Sequence, residues 1–308
     1  MPAFSVSRSI TINSSIDTVF NTLHNFNEWV AWSPWLIMEP EANVTISEDA
    51  RYYEWEGNRV GSGNMKVTGE LVNDTIFYDL TFLKPWKSEA KVNFKFKKTE
   101  ENETEVIWNM DSSLPWFMFW MKKMMMAFIG MDYERGLRML KEHIEDGEVK
   151  SKLEFKGVSD FPGSKYIGIK TTCGIHEMGE VMQADFGKIE AFMQEHSDIA
   201  TGQAFSIYHK FDMVKQKASY TGCVGVTTIP DNLPGDFISG EIPATRAYTL
   251  RHIGAYDHLG NAWSTMQGMI RGKEIDYKKG FHPFEHYVTN PKETEEKDHI
   301  TDVIFAVK

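Results

Sequence analysis

The order of hydrophobic patterns in the first half of the chain constrains its fold more than any other feature. Residues 4–12 alternate apolar and polar side chains, which predicts a half-buried strand, and residues 16–26 place apolar side chains on one helical face. Short alternating stretches separated by turn signals follow, and two helical stretches at 116–128 and 131–145 end this half. A curved antiparallel sheet around a long C-terminal helix buries this order of elements, so we predict an α+β domain.

Several short motifs in these elements resemble the SRPBCC superfamily, which includes START-like and polyketide-cyclase proteins. The matching segments are SSIDTVF at 14–20, WVAWSPW at 29–35, KPW at 84–86, TEVIW at 104–108 and YERGL at 133–137. The resemblance covers about residues 3–146. It implies a helix-grip fold with a hydrophobic cavity between sheet and helix, and it leaves the ligand open because ligands differ among members.

Aromatic side chains of the first half are the candidates for lining such a cavity. They are Trp29, Trp32, Tyr53, Trp55, Phe77 and Trp108. For each of them, a place in an ordinary core competes with a place in the cavity wall. The methionine run at 124–126 is likewise open between a lid over the cavity, a docking face and plain helix packing.

The second half is organised as an approximate repeat. A short charged segment at 147–152 separates the halves, so we place the domains at 1–148 and 149–308. Two strand–helix–strand–strand units are then predicted, although the units share no clear sequence identity. Their strands lie near 164–172, 205–209 and 220–227 and near 245–252, 283–288 and 302–307, and their helices lie near 177–195 and 257–271.

The residues of this half resemble the GyrI-like domain, which also occurs as the effector-binding domain of AraC-type regulators. The matching segments are AFSIY at 204–208, ATRAYT at 244–249, HIGAYDHLGNAW at 252–263, PFEHY at 283–287 and TDVIFAV at 301–307. Gly254-Ala255-Tyr256 stands where the family usually has Gly-Pro-Tyr, which keeps the tyrosine. The resemblance covers about residues 163–308 and implies a groove between the repeats that binds small, often apolar or cationic molecules.

Glu285 is the most informative candidate for a site residue, because it lies among aromatic residues in the segment HPFEHY. If Glu285 points inward, the carboxylate must pair, shift its pKa or await a cationic or polar ligand. The alternative is that Glu285 faces solvent on an edge strand. The resemblance implies that Glu285 is the centre of the ligand site. It implies walls formed by Tyr208, Tyr256, Trp263 and Tyr287, and aromatic faces beside a carboxylate suit a cation.

Three functions follow from these residues. The leading prediction is non-covalent binding of a small apolar or cationic molecule, which would serve sensing or sequestration. The first alternative is a hydrolase or cyclase of a xenobiotic or polyketide-like compound, with Glu285 and Tyr287 in acid–base roles. The weaker alternative is a protein-binding inhibitor module, which an acidic surface permits as DNA mimicry.

Composition and competing motifs narrow the partners. The net charge is −11 and both halves are acidic, so we expect no nucleic-acid partner, while a protein partner stays open. The N-terminal segment lacks an apolar signal core, and Lys122 and Lys123 interrupt the longest apolar stretch. We therefore expect no membrane partner and a cytoplasmic location. The segment HPFEH formally matches a zinc signature, but Pro283 opposes the helix that this signature needs, so we expect neither a metal nor a cofactor.

Overall fold

The computed structural model describes residues 3–308, apart from the side chain of Gln203. The chain forms two compact units, each with one antiparallel sheet and its helices. The first unit runs up to Lys150 and includes Gln267–Gly272, and the second comprises Ser151–Met266 and Lys273–Lys308. Both units are mixtures of helices and antiparallel strands, which confirms the predicted α+β fold class.

The first unit contains a seven-stranded sheet. Its strands are β1 (Ala3–Ile12), β2 (Asn43–Ile46), β3 (Tyr52–Gly57), β4 (Gly61–Leu71), β5 (Thr75–Lys84), β6 (Ser88–Glu100) and β7 (Glu103–Ser113). Its helices are α1 (Ile16–His24), α2 (Phe26–Trp32) and α3 (Lys122–Asp146). The strand order is β1-β7-β6-β5-β4-β3-β2, so β1 pairs with β7 and the other neighbours are consecutive hairpins.

Local sequence explains where the helices of this unit begin and end. The Ser15 side chain accepts the Thr18 backbone N–H at 3.2 Å and caps α1. α3 ends at Asp146 and is followed by Gly147, whose φ of 79° lies in the left-handed region that glycine adopts most easily. The sequence predicts two helical stretches here, but the structure has a 3-10 turn at Trp116–Met121 and then one continuous helix. Among the described helices, none is both long and apolar enough to cross a bilayer.

The second unit contains an eight-stranded sheet. Its strands are β8 (Ser151–Phe161), β9 (Ser164–Gly174), β10 (Ala200–Asp212), β11 (Lys217–Val226), β12 (Phe237–Ile242), β13 (Thr245–Gly254), β14 (Phe284–Tyr287) and β15 (Ile300–Ala306). Helix α4 (Met178–Glu195) follows β9, and helix α5 (Leu259–Arg271) follows β13.

The strand order of this sheet contains the predicted repeat. The order is β12-β9-β11-β10-β14-β15-β13-β8, so the units β9-α4-β10-β11 and β13-α5-β14-β15 meet at the antiparallel pair of β10 and β14. Ser206 and Glu285 lie directly opposite each other in that pair. β8 and β12 extend the sheet at its two edges. The sequence did not predict β8. A bulge in its pairing with β13 interrupts the alternation of apolar and polar side chains by which a strand is recognised.

Candidate functional site

Glu285 lies on a central strand, because β14 is paired on one side with β10 and on the other with β15. Successive side chains of a strand point to opposite faces. Phe284 packs with Phe205, Ile207 and Ile304 on one face, and Glu285 points to the other. The Glu285 residue is 2% exposed, so the edge-strand alternative does not describe this structure.

Three neutral groups hold the Glu285 carboxylate. The Tyr208 hydroxyl donates to Oε2 at 2.6 Å, and the Tyr287 hydroxyl donates to the same oxygen at 3.0 Å. The indole N–H of Trp263, from α5, donates to Oε1 at 2.5 Å. The Tyr287 oxygen also lies 3.0 Å from Ser206 Oγ. Within residues 3–308, no lysine, arginine or histidine forms an ion pair with Glu285, so its hydrogen bonds are satisfied while its charge is not neutralised.

Burial controls the titration of this group. It raises the pKa of Glu285, although the hydrogen bonds from Trp263, Tyr208 and Tyr287 lower the pKa in part. Burial, followed by the nearby Glu285 charge, raises the pKa of Tyr208 and Tyr287 well above the ordinary tyrosine value. Both hydroxyls therefore keep their protons and remain donors over the whole working range of pH.

Aromatic rings surround the carboxylate and its donors. Trp263 contacts the Tyr208 ring edge-on, with centroids 4.9 Å apart. Tyr256 and Phe186 contact the Tyr287 ring, at 5.7 and 5.8 Å. Tyr256 is 37% exposed, so it forms the open side of this enclosure. The structure thus brings the five predicted residues into one connected group on one face of the sheet.

Three members of this group were not predicted from the sequence: Ser206, Phe186 and Phe211. Phe211 stacks on Tyr208 at 5.3 Å and contacts Trp263 at 5.7 Å. Ser206 could have been found, because the repeat places it opposite Glu285. Phe186 lies on the apolar stripe of α4, where its type alone does not separate a site wall from a packing residue.

A second buried carboxylate, Asp185, lies on α4. It accepts hydrogen bonds from Thr171 Oγ1 at 2.8 Å and from the Tyr220 hydroxyl at 2.7 Å. The Tyr220 ring lies 6.5 Å from the Tyr208 ring, so the two buried carboxylates are linked through a pair of tyrosines. Burial, followed by the hydrogen bond to Asp185 and the charge of Asp185, raises the pKa of Tyr220. An acidic residue on an otherwise apolar helical stripe was the available sequence signal for it.

The sheet face beyond Tyr287 is also polar. Thr301, on β15, lies opposite Tyr287 of β14 on one side and opposite His252 of β13 on the other. His252 Nε2 is 3.0 Å from Ser151 Oγ. Within the described part of the chain, Thr301 Oγ1 and His252 Nδ1 are buried without a hydrogen-bond partner. Burial, followed by the nearby His258, lowers the pKa of His252 to about 4, so this imidazole is neutral at pH 7.

The aromatic candidates of the first unit separate into two groups. Trp29, Trp32, Tyr53 and Trp108 are buried within the main apolar cluster of the unit, and Trp55 packs against it. The Trp108 ring stacks on Tyr133 of α3 with centroids 3.9 Å apart, so it joins the sheet to the helix. Phe77 is 42% exposed, because it alternates with the buried Ile76 and Tyr78 on β5 and therefore faces away from the cluster.

The histidines of the zinc-like segment do not form a metal centre in this structure. Phe284–Tyr287 is a strand, so His282 and His286 do not share a helical face. Among residues 3–308, no three His, Cys, Asp or Glu side chains are placed to hold a metal ion.

Family comparisons agree with both resemblances. Residues 3–145 match the family described as polyketide cyclase/dehydrase and lipid transport, and residues 158–308 match the GyrI-like small molecule binding domain. The chain therefore joins an SRPBCC-type domain to a GyrI-like small-molecule-binding domain, as predicted. No curated protein matches the chain.

Solved structures with related folds are distant. The C-terminal domain of EcmrR is 19% identical over 51% of this chain and 98% of its own, with a TM-score of 0.40. EcmrR in a complex with DNA is 18% identical over 60% of this chain, with a TM-score of 0.41, and the match spans 65% of that protein. The Aha1 dimer from Colwellia psychrerythraea is 20% identical over 47% of this chain and 98% of its own, with a TM-score of 0.35. The expectation that this chain has no nucleic-acid partner stays a prediction.

Proposed function

We propose that the GyrI-like domain binds a small apolar cation beside Glu285, and that this binding serves sensing or sequestration. The observation that carries the proposal is a fully buried carboxylate whose three hydrogen-bond donors are all neutral. The donors satisfy the oxygen lone pairs but add no positive charge. A cationic ligand would supply the missing charge.

The energetics favour a cation over a neutral ligand. Keeping an ionised carboxylate out of water costs on the order of several kcal/mol when no opposite charge is near. The raised pKa of Glu285 reflects the same cost. A cation in the enclosure recovers part of it, and aromatic rings whose faces it meets on entry would add cation–π attraction. An apolar cation is favoured over a strongly hydrated one, because the rings around the carboxylate offer few further polar partners.

Entry to the site requires a side-chain movement. Glu285 is closed off from solvent, whereas Tyr256 lies at the surface in the 3-10 turn that leads into α5. Rotation of the Tyr256 ring away from Tyr287 would open the enclosure from the solvent side. A bulky ligand is therefore expected to bind with a change in the environment of Tyr256.

Two probes of equal shape and opposite charge test the proposal. Isothermal titration calorimetry of the full chain with tetraphenylphosphonium and with tetraphenylborate compares a cation with its anionic counterpart. We expect the cation to bind and the anion to bind weakly or not at all, because the buried carboxylate repels it. Equal binding of both probes would contradict a site centred on Glu285.

The second candidate function is that of a hydrolase or cyclase acting on a xenobiotic or polyketide-like compound. It is favoured by the raised pKa of Glu285 together with the Tyr287 hydroxyl 3.0 Å from its carboxylate, which suits acid–base chemistry. Incubation with a strained, cyclopropane-bearing electrophile, followed by mass detection of water addition, tests this candidate. Turnover that disappears in Glu285→Gln while binding persists would support it, and no product from the wild type would contradict it.

A further inference from the structure

One end of the first sheet exposes an unusual set of large apolar side chains. Six of them lie in two short segments: Leu83 (50%), Trp86 (41%), Trp116 (76%), Phe117 (60%), Phe119 (65%) and Trp120 (67%). The first segment is the end of β5 together with the turn that leads to β6, and the second is the 3-10 turn that follows β7. We name this set the aromatic end of the first domain.

Strand register places the two segments side by side. Phe82 pairs with Ser88 across the β5–β6 turn, and Ala90 on β6 pairs with Ser112 near the end of β7. The turn at 83–87 and the segment at 114–120 therefore leave the sheet at the same end. Both parts of the aromatic end therefore lie at one end of the sheet, next to neighbouring strands, although they are about 30 residues apart in sequence.

The outward rings belong to the folded state of this domain. Leu114 is buried in the main apolar cluster, and Met118 packs against that cluster from within the 3-10 turn. These two residues hold the segment on the domain while its four aromatic rings point to solvent. Several large exposed apolar side chains at one end of a domain are typical of a surface that interacts with a protein or a membrane.

Charge shows which kind of partner suits the surface. The chain has a net charge of −11, yet no acidic residue occurs between Asp111 and Asp132, and this stretch contains Lys122 and Lys123. In the neighbouring turn Lys84 is paired with Glu56 at 2.6 Å, and Lys87 is followed two residues later by the exposed Glu89, so the excess positive charge comes from Lys122 and Lys123. In the described part of the chain, Lys87, Lys122 and Lys123 form no ion pair. The aromatic end is thus locally basic on an acidic protein.

We propose that the aromatic end docks on the surface of an anionic lipid bilayer. Tryptophan and phenylalanine rings favour the boundary between headgroups and acyl chains, and flanking lysines attract anionic headgroups. A second copy of this chain suits the surface less well, because a symmetric contact would bring the lysines of both copies together. The expectation of no membrane partner rested on the lack of an apolar signal core and of a spanning segment, and neither excludes a peripheral surface contact.

Vesicle co-sedimentation of the full chain tests this proposal. Vesicles of phosphatidylcholine alone are compared with vesicles of phosphatidylcholine and phosphatidylserine. We expect the protein to sediment with the anionic vesicles and to be released as salt is raised, because the lysine contribution is screened. The double variant Trp116→Ser/Trp120→Ser should weaken vesicle binding by about a hundredfold, because each of the two buried rings contributes about tenfold. Lys122→Glu/Lys123→Glu should remove the preference for phosphatidylserine.

A matched control comes from the other end of the same strands. Leu71 and Val72 lie in or beside the β4–β5 turn and are 58% and 72% exposed, so Leu71→Ser/Val72→Ser removes two exposed apolar side chains away from the aromatic end. This variant should bind vesicles like the wild type. The proposal is overturned if the wild type binds neither kind of vesicle, or if the control and Trp116→Ser/Trp120→Ser lose binding equally. It is also overturned if light scattering shows an oligomer that Trp116→Ser/Trp120→Ser dissolves while vesicles are not bound, because the surface would then be a protein contact.

Discussion

Replacing Glu285 by glutamine removes one buried charge while keeping the shape of the side chain. The amide oxygen of glutamine can accept the Trp263 N–H, and the amide nitrogen can donate to the hydroxyl oxygens of Tyr208 and Tyr287. All three contacts can therefore persist in Glu285→Gln. The variant separates the charge of the site from its shape and its hydrogen bonds.

The expected loss of cation affinity follows from Coulomb's law. The phosphorus centre of tetraphenylphosphonium is shielded by its phenyl rings, so its approach to a carboxylate is limited to about 8 Å. At an effective dielectric constant of about 20, two unit charges at that separation attract by about 2 kcal/mol. This energy corresponds to a loss of about 30-fold in affinity for Glu285→Gln. The aromatic contribution is unchanged, so binding should weaken without disappearing.

Calorimetric titration of both proteins with tetraphenylphosphonium measures this difference. Glu296→Gln is the matched control, because it makes the same charge change at an exposed position of the same domain. The control should change affinity little, since an exposed charge is screened by solvent and salt. The reasoning is refuted if Glu285→Gln binds the cation as tightly as the wild type, or if Glu296→Gln loses as much affinity as Glu285→Gln.

Further predictions concern stability, each measured by urea unfolding. Burial raises the pKa of Glu285 above the value of about 4.5 for an exposed carboxyl, so ionisation of the wild type opposes folding as pH rises through the folded pKa. The stability of Glu285→Gln relative to the wild type should therefore increase with pH over this range. A difference in stability that stays constant with pH would contradict this prediction. Tyr208→Phe should cost about 1.5–3 kcal/mol at pH 7, because it removes a buried donor to a charged acceptor, and an unchanged midpoint would show that the hydroxyl contributes nothing. The pKa of His252 is lowered to about 4, so the wild type should lose about 3 kcal/mol of stability in total as pH falls from 6.5 to 4. His252→Gln should reduce this dependence of stability on pH, because the glutamine amide can keep the Ser151 contact but does not titrate. Trp108→Ala should cost about 3–5 kcal/mol if the ring is core, whereas a loss below about 1 kcal/mol would indicate the wall of a pre-existing cavity.

Much of the fold could be predicted from the sequence. The spacing of apolar residues identifies each helix or strand, and the order of these elements indicates how helices and sheets pack together. The elements around α1, the hairpins of the first sheet and the repeat of the second sheet all follow from such patterns. The break predicted near residue 130 is absent, because Gly130 fits inside α3, where a β-carbon would meet the guanidinium of Arg8. A glycine that ends a helix and one that permits close packing look alike in sequence.

Only those residues of the site could be predicted that follow from strand alternation or from the family resemblance. Tyr208, Glu285 and Tyr287 follow from these, since all three lie on the central strands. Phe211 does not, because a register shift between Tyr208 and Lys210 changes which side chains share a face. Its stacking on Tyr208 depends on that irregularity, which no period reveals. Asp185 could be suspected from its helical stripe, but its partners on two strands depend on the packing of α4.

The repeat also explains why the site has a single acid with two tyrosines. Ser206 and Glu285 occupy equivalent positions of the two units, and Tyr208 and Tyr287 follow each of them by two residues on the same face. Both tyrosines reach the one carboxylate, so the repeat doubles the donors. A second acid at position 206 would set two carboxylates directly opposite each other on paired strands, where like charges repel and neither has a cation. Serine at this position avoids that repulsion and leaves one uncompensated charge, which suits a ligand with a single positive centre.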